Sequence, residues 1–174
     1  IYAATTTAPE GRLAAELRLA RAEKDVAERP RAAQLWLARL EAAEALRDAP
    51  SVAALWAEGL APASEPNLMW PAYLAFVGRS FDTCTVRTLR EEFGKGLASL
   101  REDVDRVRLR HDLCKVEIAS GHAEFGLGLL QATLELAVNA TMTPALLEAF
   151  WRSEAPRVGD SRNSGVAEWY VTEA

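Results

Sequence analysis

Two tryptophans 34 residues apart, Trp36 and Trp70, constrain this chain more than any other feature. Around them the sequence reads Leu35-Trp36-x-x-Arg39-Leu40-x-Ala42 and Met69-Trp70-x-x-Tyr73-Leu74-x-Phe76. The segments that follow also rhyme: Val52-x-x-Leu55-Trp56-x-x-Gly59-Leu60, then Val86-x-x-Leu89 through Phe93-x-x-Gly96-Leu97. Apolar spacings of three and four belong to one face of a helix. One helical pair cannot bury both of its apolar stripes alone, so a repeat of this length points to stacked pairs. The expected fold is therefore all-α, an α-solenoid of antiparallel helical pairs. Its expected core is Trp36, Leu40, Trp56, Leu60, Trp70, Tyr73, Phe93 and Leu97, with Trp70 a buried keystone between two pairs. A glycine inside a helix costs about 1 kcal/mol relative to alanine. The recurrence of Gly59 and Gly96 at the same place in their helices therefore predicts a close crossing.

The chain between and beyond these motifs divides into further helical stretches. Residues 1–12 read as a lead-in, 13–143 as the repeats, and 144–174 as a terminal helix with a capping segment of the same domain. The first helix is expected from Leu13 to Glu28 with Leu13, Leu17 and Ala20 inward, ending before Pro30 because the residue before proline is pushed out of the α region. Others follow at Ala32–Arg47, Val52–Leu60, Leu68–Val77, Thr85–Leu100, Arg106–Ala119, His122–Val138 and Pro144–Arg152. Asp48 or Ser51 can cap the third, Asn67 the fourth, and Pro71 is expected in or beside the fourth helix's first turn. Leu109, Leu113, Val116 and Ile118 are expected inward on the sixth, and Phe125, Leu129, Leu130, Leu134 and Val138 on the seventh. Arg101–Asp105 reads either as a loop or as a helical overhang.

Composition excludes several classes. Apolar residues make up 49% and charged residues 26%, which separates the chain from disordered sequences. No apolar run approaches eighteen residues and no signal peptide is visible, so no membrane association is expected and an intracellular protein is. Cys84 and Cys114, the only two cysteines, read as buried thiols of a reducing compartment rather than a disulfide framework. The net charge of −5 comes from interleaved acids and bases, which speaks against a free-standing duplex-binding face. The chain opens at Ile1 without an initiator methionine and is read as a piece of a longer protein.

The candidate chemical groups do not assemble into a site. His111, Asp112 and Cys114 lie close in sequence, but two cysteines and two histidines without CxxC or HxxxH spacing do not make a structural zinc site. Gly126-x-Gly128 falls inside a helical pattern with no strand before it and is no phosphate loop. Glu91-Glu92 and Glu102-Asp103-x-Asp105 read as solvated helix faces rather than acid–base pairs. No metal, cofactor or catalytic residue is expected, and hence no enzyme. Arg101, Arg106, Arg108 and Arg110 form the one arginine cluster. It reads first as intramolecular ion pairs between repeats and second as a contact for RNA phosphates or a partner.

A tryptophan near the start of a first helix, an aromatic three residues on, and a second helix ending in a small residue plus leucine resembles the HAT (half-a-TPR) repeat. Two stretches narrow the resemblance to the NRDE-type (nuclear RNA interference defective) family. The first is Met69-Trp70-x-x-Tyr73-Leu74-x-Phe76 with Ser80-Phe81-x-Thr83-x-Thr85-Val86 and Gly96-Leu97-x-Ser99-Leu100. The second is Phe150-Trp151-x-Ser153-x-x-Pro156-Arg157-Val158-Gly159, followed by Gly165 and Trp169, which a generic HAT repeat has no reason to carry. The resemblance covers Leu13 to Trp169 and departs at Arg39, where an aromatic is common, and around Arg101–Asp105.

The resemblance implies a nuclear scaffold that binds protein partners in small-RNA-directed silencing, splicing and RNA surveillance. It also implies association with the exosome's RNA helicase through a segment before the repeats, absent here. The alternatives are a solenoid that binds RNA directly, and a generic HAT or TPR scaffold of splicing or 3′-end processing.

Overall fold

The computed structural model of the protein describes residues 9–61, 65–80, 84–138 and 143–160, together with Gly165 and Trp169. Among these residues there are eight helices and no strand, so the fold is all-α. The helices are α1 (Pro9–Glu28), α2 (Ala33–Glu44), α3 (Ala49–Leu60), α4 (Pro66–Arg79), α5 (Val86–Ser99), α6 (Asp103–Ala119), α7 (Ala123–Val138) and α8 (Pro144–Arg152). Short connections let the helices from α1 to α5, and α6 with α7, double back on their neighbours. The chain divides into two compact units, Ile1–Leu100 and Arg101–Ala174.

In the first unit each helix packs on its sequence neighbour, and α2 also packs on α4. The core joins Leu19 and Val26 of α1, Trp36 and Leu40 of α2, Val52, Leu55 and Trp56 of α3, and Met69 of α4. Gly59 lies directly under the Trp36 ring: a Cβ there would meet Trp36 Cε3 at 2.7 Å. That absent side chain lets α3 and α2 approach closely, and the Trp36 indole N–H donates to the Pro30 carbonyl at 2.8 Å. Gly96 is likewise buried, on α5.

Cross-element bonds tie the helices at their edges. Arg47 reaches Glu23 at 2.8 Å, Arg79 reaches Glu44 at 3.1 Å, and Arg39 reaches Glu58 at 3.5 Å. Arg39, which stands where an aromatic is common in the resembled repeat, lays its guanidinium 5.0 Å from the Trp36 ring centre. At the same place in the next repeat Tyr73 meets the Trp70 ring edge-on at 5.7 Å.

The structure corrects the expected faces of several helices. Trp70 is half-buried rather than a keystone, because its neighbour Met69 takes the fully buried position and Trp56 fills the space against Tyr73 and Phe76. Helix α1 begins at Pro9, and its buried stripe is Ala15, Leu19, Ala22 and Val26; Leu13 and Leu17 are exposed. Leu19 and Val26 of this stripe join the core with Trp36 and Leu40 of α2. Helix α4 starts at Pro66 with Glu65 before it, not at Leu68 with an Asn67 cap, so Pro71 lies inside the helix. The bond it removes would have ended on the Asn67 carbonyl, and both residues are exposed, where water can compensate. Of the two candidate caps on α3, Asp48 acts, accepting from the Ser51 N–H at 3.3 Å. Hydrogen bonding from the Ser51 side chain, and then from this N–H, holds the Asp48 carboxyl below its ordinary range.

In the second unit α6 and α7 form a tight hairpin through Ser120–His122, with Gly121 at a φ of +87°. Asp103 and Asp105 make up the first turn of α6, where negative charge favours the helix dipole, so this charged stretch is helix from Asp103 onward. The crossing is set at Gly126, where a Cβ would lie 2.8 Å from Ile118 Cγ1 and 3.0 Å from the Cys114 carbonyl oxygen.

Here too the expected faces are corrected. Ile118, Phe125, Leu134 and Val138 are exposed. What α7 buries is Gly126, Gln131 and Glu135. The glycine must face α6, and that rotation leaves two polar side chains under the segment that follows α8.

Candidate functional site

The residues of the Phe150–Trp169 signature come together on α7 and α8. Helix α8 is started by Thr143, whose hydroxyl accepts from the Leu146 N–H at 3.2 Å, and Pro144 suits its first turn. It places Phe150 in the core and Trp151 beside it, with ring centres 6.0 Å apart. Past Ser153 the backbone turns through Glu154 at a φ of +56°. The chain then passes Pro156 and makes a second turn in which the Asp160 N–H donates to the Arg157 carbonyl at 3.0 Å. Gly159, at a φ of +88°, takes the position of that turn that favours glycine. Trp169 returns to pack on Phe150 at 5.6 Å between ring centres.

Two side chains of α7 hold this loop. Gln131 Nε2 donates both to the Val158 carbonyl at 3.1 Å and to Asp160 Oδ1 at 3.0 Å, using both amide hydrogens. One turn along, Glu135 Oε1 accepts from the Val158 N–H at 3.2 Å. Val158 thus has both main-chain groups bonded to α7, and the Asp160 carboxylate also accepts from the Arg157 N–H at 2.8 Å. Gly165 closes over Glu135: at a φ of +61°, a Cβ there would sit 3.0 Å from Glu135 Oε1 and 3.2 Å from Val158 Cγ2. A buried carboxylate is costly unless its oxygens are bonded, so the loop and the glutamate depend on each other.

The face that the clamp presents outward carries Arg157 and Trp151. The Arg157 guanidinium lies 4.2 Å from the Trp151 ring centre, a cation–π stack, and the same ring lies near Gly128 of α7. Sequence reasoning found the aromatic and loop residues but missed Gln131, Glu135 and Asp160. The signal was present: Gln131 and Glu135 stand one helical turn apart in a stretch otherwise of leucine, alanine and threonine.

A second buried acid, Glu117, is fully enclosed on α6, with His122 Nδ1 at 3.5 Å from its Oε2 and the His122 N–H donating to its carbonyl at 2.9 Å. His122 is thereby placed at the start of α7, while His111 is exposed on α6, 4.0 Å from Asp112.

The remaining sequence-selected residues stay apart from this site. In the first unit Trp36, Leu40, Trp56 and Phe93 are buried, and Leu60, Trp70, Tyr73 and Leu97 are half-buried. Arg106 pairs with Asp103 at 3.3 Å and Arg108 with Asp105 at 3.5 Å. These pairs are local to α6 rather than between repeats. Arg101 is exposed and Arg110 half-buried. Among the described residues no group of three His, Cys, Asp or Glu side chains is placed to hold a metal ion, and no helix is long and apolar enough to cross a membrane. Burial raises the Cys114 thiol pKa.

A family model described as "NRDE-2, necessary for RNA interference" matches residues 3–174. The chain belongs to the NRDE-2 family. A curated relative is the Nuclear exosome regulator NRDE2 of Mus musculus, 25% identical over 182 residues. That alignment covers 91% of this chain and 16% of the relative, so the chain spans about one sixth of the relative's length. No solved structure matches. The signature loop pinned by Gln131 and Glu135 is thus part of an NRDE-2 domain.

Proposed function

We propose that this chain is a protein-binding helical-repeat scaffold of a nuclear RNA regulator, acting in small-RNA-directed silencing, splicing and RNA surveillance. The observation that carries the reading is the NRDE-2 family match across residues 3–174, together with the relative's description as a nuclear exosome regulator. Stacked helical pairs support it physically, because each pair leaves one side of its helices open to a partner's helix or peptide. The exosome's RNA helicase, on this reading, is engaged by a part of the longer protein outside these residues, and the repeats hold other processing or silencing factors. The local ion pairs of Arg106 and Arg108 favour protein scaffolding over phosphate binding at that cluster, since each guanidinium already has a carboxylate.

The test is to purify the full-length protein from nuclei with and without residues 13–169. Loss of RNA-processing or silencing factors with retention of the helicase is the expected result. An unchanged set of partners would overturn the assignment.

A further inference from the structure

The boundary between the two units falls inside the pentapeptide Ser99-Leu100-Arg101-Glu102-Asp103. Nearly the same five residues stand earlier in the chain as Thr88-Leu89-Arg90-Glu91-Glu92. Each copy has a hydroxyl followed by acids at the third and fourth places. In both the leucine is buried and the arginine exposed, so neither residue distinguishes them.

The backbone does distinguish them. Thr88 to Glu92 lie within α5, and Thr88 Oγ1 shares a hydrogen with Thr85 Oγ1 at 2.8 Å. Hydroxyl and acid there stand one helical turn apart, with about 5–6 Å between Cβ atoms. Ser99 is instead the last residue of α5 and is exposed. Leu100 follows at φ −78° and ψ 135°, and Glu102 at φ −79° and ψ 132°, both extended. Three residues of extended chain span roughly 10 Å, so the Ser99 hydroxyl and the Glu102 carboxylate are presented well apart. Arg101, Glu102 and Asp103 are exposed, and the Glu102 side chain makes no capping hydrogen bond to α6.

We propose that Ser99 is a phosphorylation site for an acid-directed serine/threonine kinase, and that phosphate there opens the last turn of α5. Such a kinase holds its substrate extended, with the hydroxyl at the nucleotide and the following acids on basic side chains of its groove. Ser99 Oγ attacks the γ-phosphorus of Mg²⁺-bound ATP. The bond from that phosphorus to the β–γ bridging oxygen breaks, ADP leaves, and the hydroxyl proton passes to the kinase's catalytic base.

The effect on α5 follows from what Ser99 does now. Its hydroxyl donates to the Gly96 carbonyl at 2.8 Å, and the Leu100 N–H donates to the same oxygen at 3.2 Å. Phosphorylation removes the hydroxyl hydrogen and adds a charge of about −2. That charge sits at the carbonyl end of the helix, where the dipole is already negative, with Glu102 and Asp103 close behind. Repulsion therefore falls on the turn that seats the buried Leu100, at the point where the first unit ends. The site stands independently of the scaffold reading.

The test incubates the intact 174-residue chain with a purified acid-directed kinase and Mg²⁺–ATP, and mass spectrometry locates the phosphate. Two free peptides, residues 84–95 and 95–106, are too short for stable helix and give the ratio of Ser99 to Thr88 modification set by sequence alone. In the folded chain that ratio should rise on the order of tenfold, because α5 must open before Thr88 is reached. Ser99→Ala should remove the modification. Glu102→Gln, which leaves Ser99 and its bond to Gly96 in place, should slow it on the order of tenfold. A ratio unchanged by folding, an undiminished rate in Glu102→Gln, or a folded chain that takes no phosphate at Ser99 would each overturn the assignment. Amide exchange at Leu100 should accelerate in the phosphorylated chain; unchanged exchange would overturn the proposed opening of α5.

Discussion

The two units are built to the same plan with opposite materials. Around Trp36 the first unit closes on aromatic and aliphatic side chains, and a single glycine admits one indole. Around Gly126 and Gln131 the second closes on a glycine crossing and on hydrogen bonds, with Glu117, Gln131 and Glu135 buried. An apolar core tolerates repacking among residues of similar volume, whereas a buried polar clamp works only when each bond is made. The first unit should therefore respond to lost volume, and the second to a single lost bonding atom.

Trp36→Ala is the strongest attack on the first half of that comparison. It empties the space over Gly59 and should cost about 3–5 kcal/mol, read by chemical denaturation. Trp70→Ala, at a half-buried ring, should cost roughly half as much, because less apolar area is lost. Equal costs would show that the second tryptophan matters as much as the first and that burial is the wrong guide here.

Gln131→Leu attacks the second half. It keeps volume but removes both donors, leaving the Val158 carbonyl and one Asp160 oxygen without them, at a cost of about 1–3 kcal/mol. Amide exchange at Val158 and Gly159 should accelerate with it. If Gln131→Leu proves neutral, the loop is held by Phe150–Trp169 packing and not by the clamp.

Smaller effects sharpen the contrast. Under native conditions a thiol reagent should label Cys84, which is partly exposed, and leave Cys114 unlabelled until the chain unfolds, since burial both shields the second thiol and raises its pKa. Equal labelling rates would mean that the α6–α7 hairpin opens readily.

The least effect expected is one of pH. Burial, then the charge of Glu92, raises the pKa of the Tyr73 phenol in the folded chain above its ordinary value of 10.0. A raised folded pKa favours the neutral phenol, so its contribution is complete below the unfolded pKa and is lost as pH rises through the folded one. Stability of the parent should fall more steeply above pH 10 than that of Tyr73→Phe; parallel curves would remove Tyr73 from the account.

Legibility followed the same divide. The helices of the first unit could be read because Trp36, Leu40, Val52, Leu55 and Trp56 are large, apolar and helically spaced, and burial took them as they stood. On α1 the spacing of Leu13 and Leu17 makes the more obvious stripe, while the buried one mixes Ala15 and Ala22 with Leu19 and Val26. Helix α7 carries leucine or phenylalanine nearly all round, so periodicity could not select a face. The choice was made by Gly126 against α6 and by a loop more than twenty residues later that needs Gln131 and Glu135. The aromatic and turn residues of the signature were visible as a pattern. The two side chains that anchor it were not, since a hydrogen bond across 23 residues leaves no local period.

One buried atom gives the first unit an optical signature. The Trp56 indole nitrogen is enclosed and among the described residues has no hydrogen-bond acceptor, while its ring rests on Tyr73 and Phe76. Buried indole N–H groups ordinarily find a partner. An indole in dry, apolar surroundings without one emits at the blue end of the tryptophan range and resists collisional quenchers. Trp56 is thus a built-in lamp for the α3–α4 contact, turning red when that contact opens, and Trp56→Phe should shift the native spectrum to the red, leaving the blue emission of the equally buried Trp36.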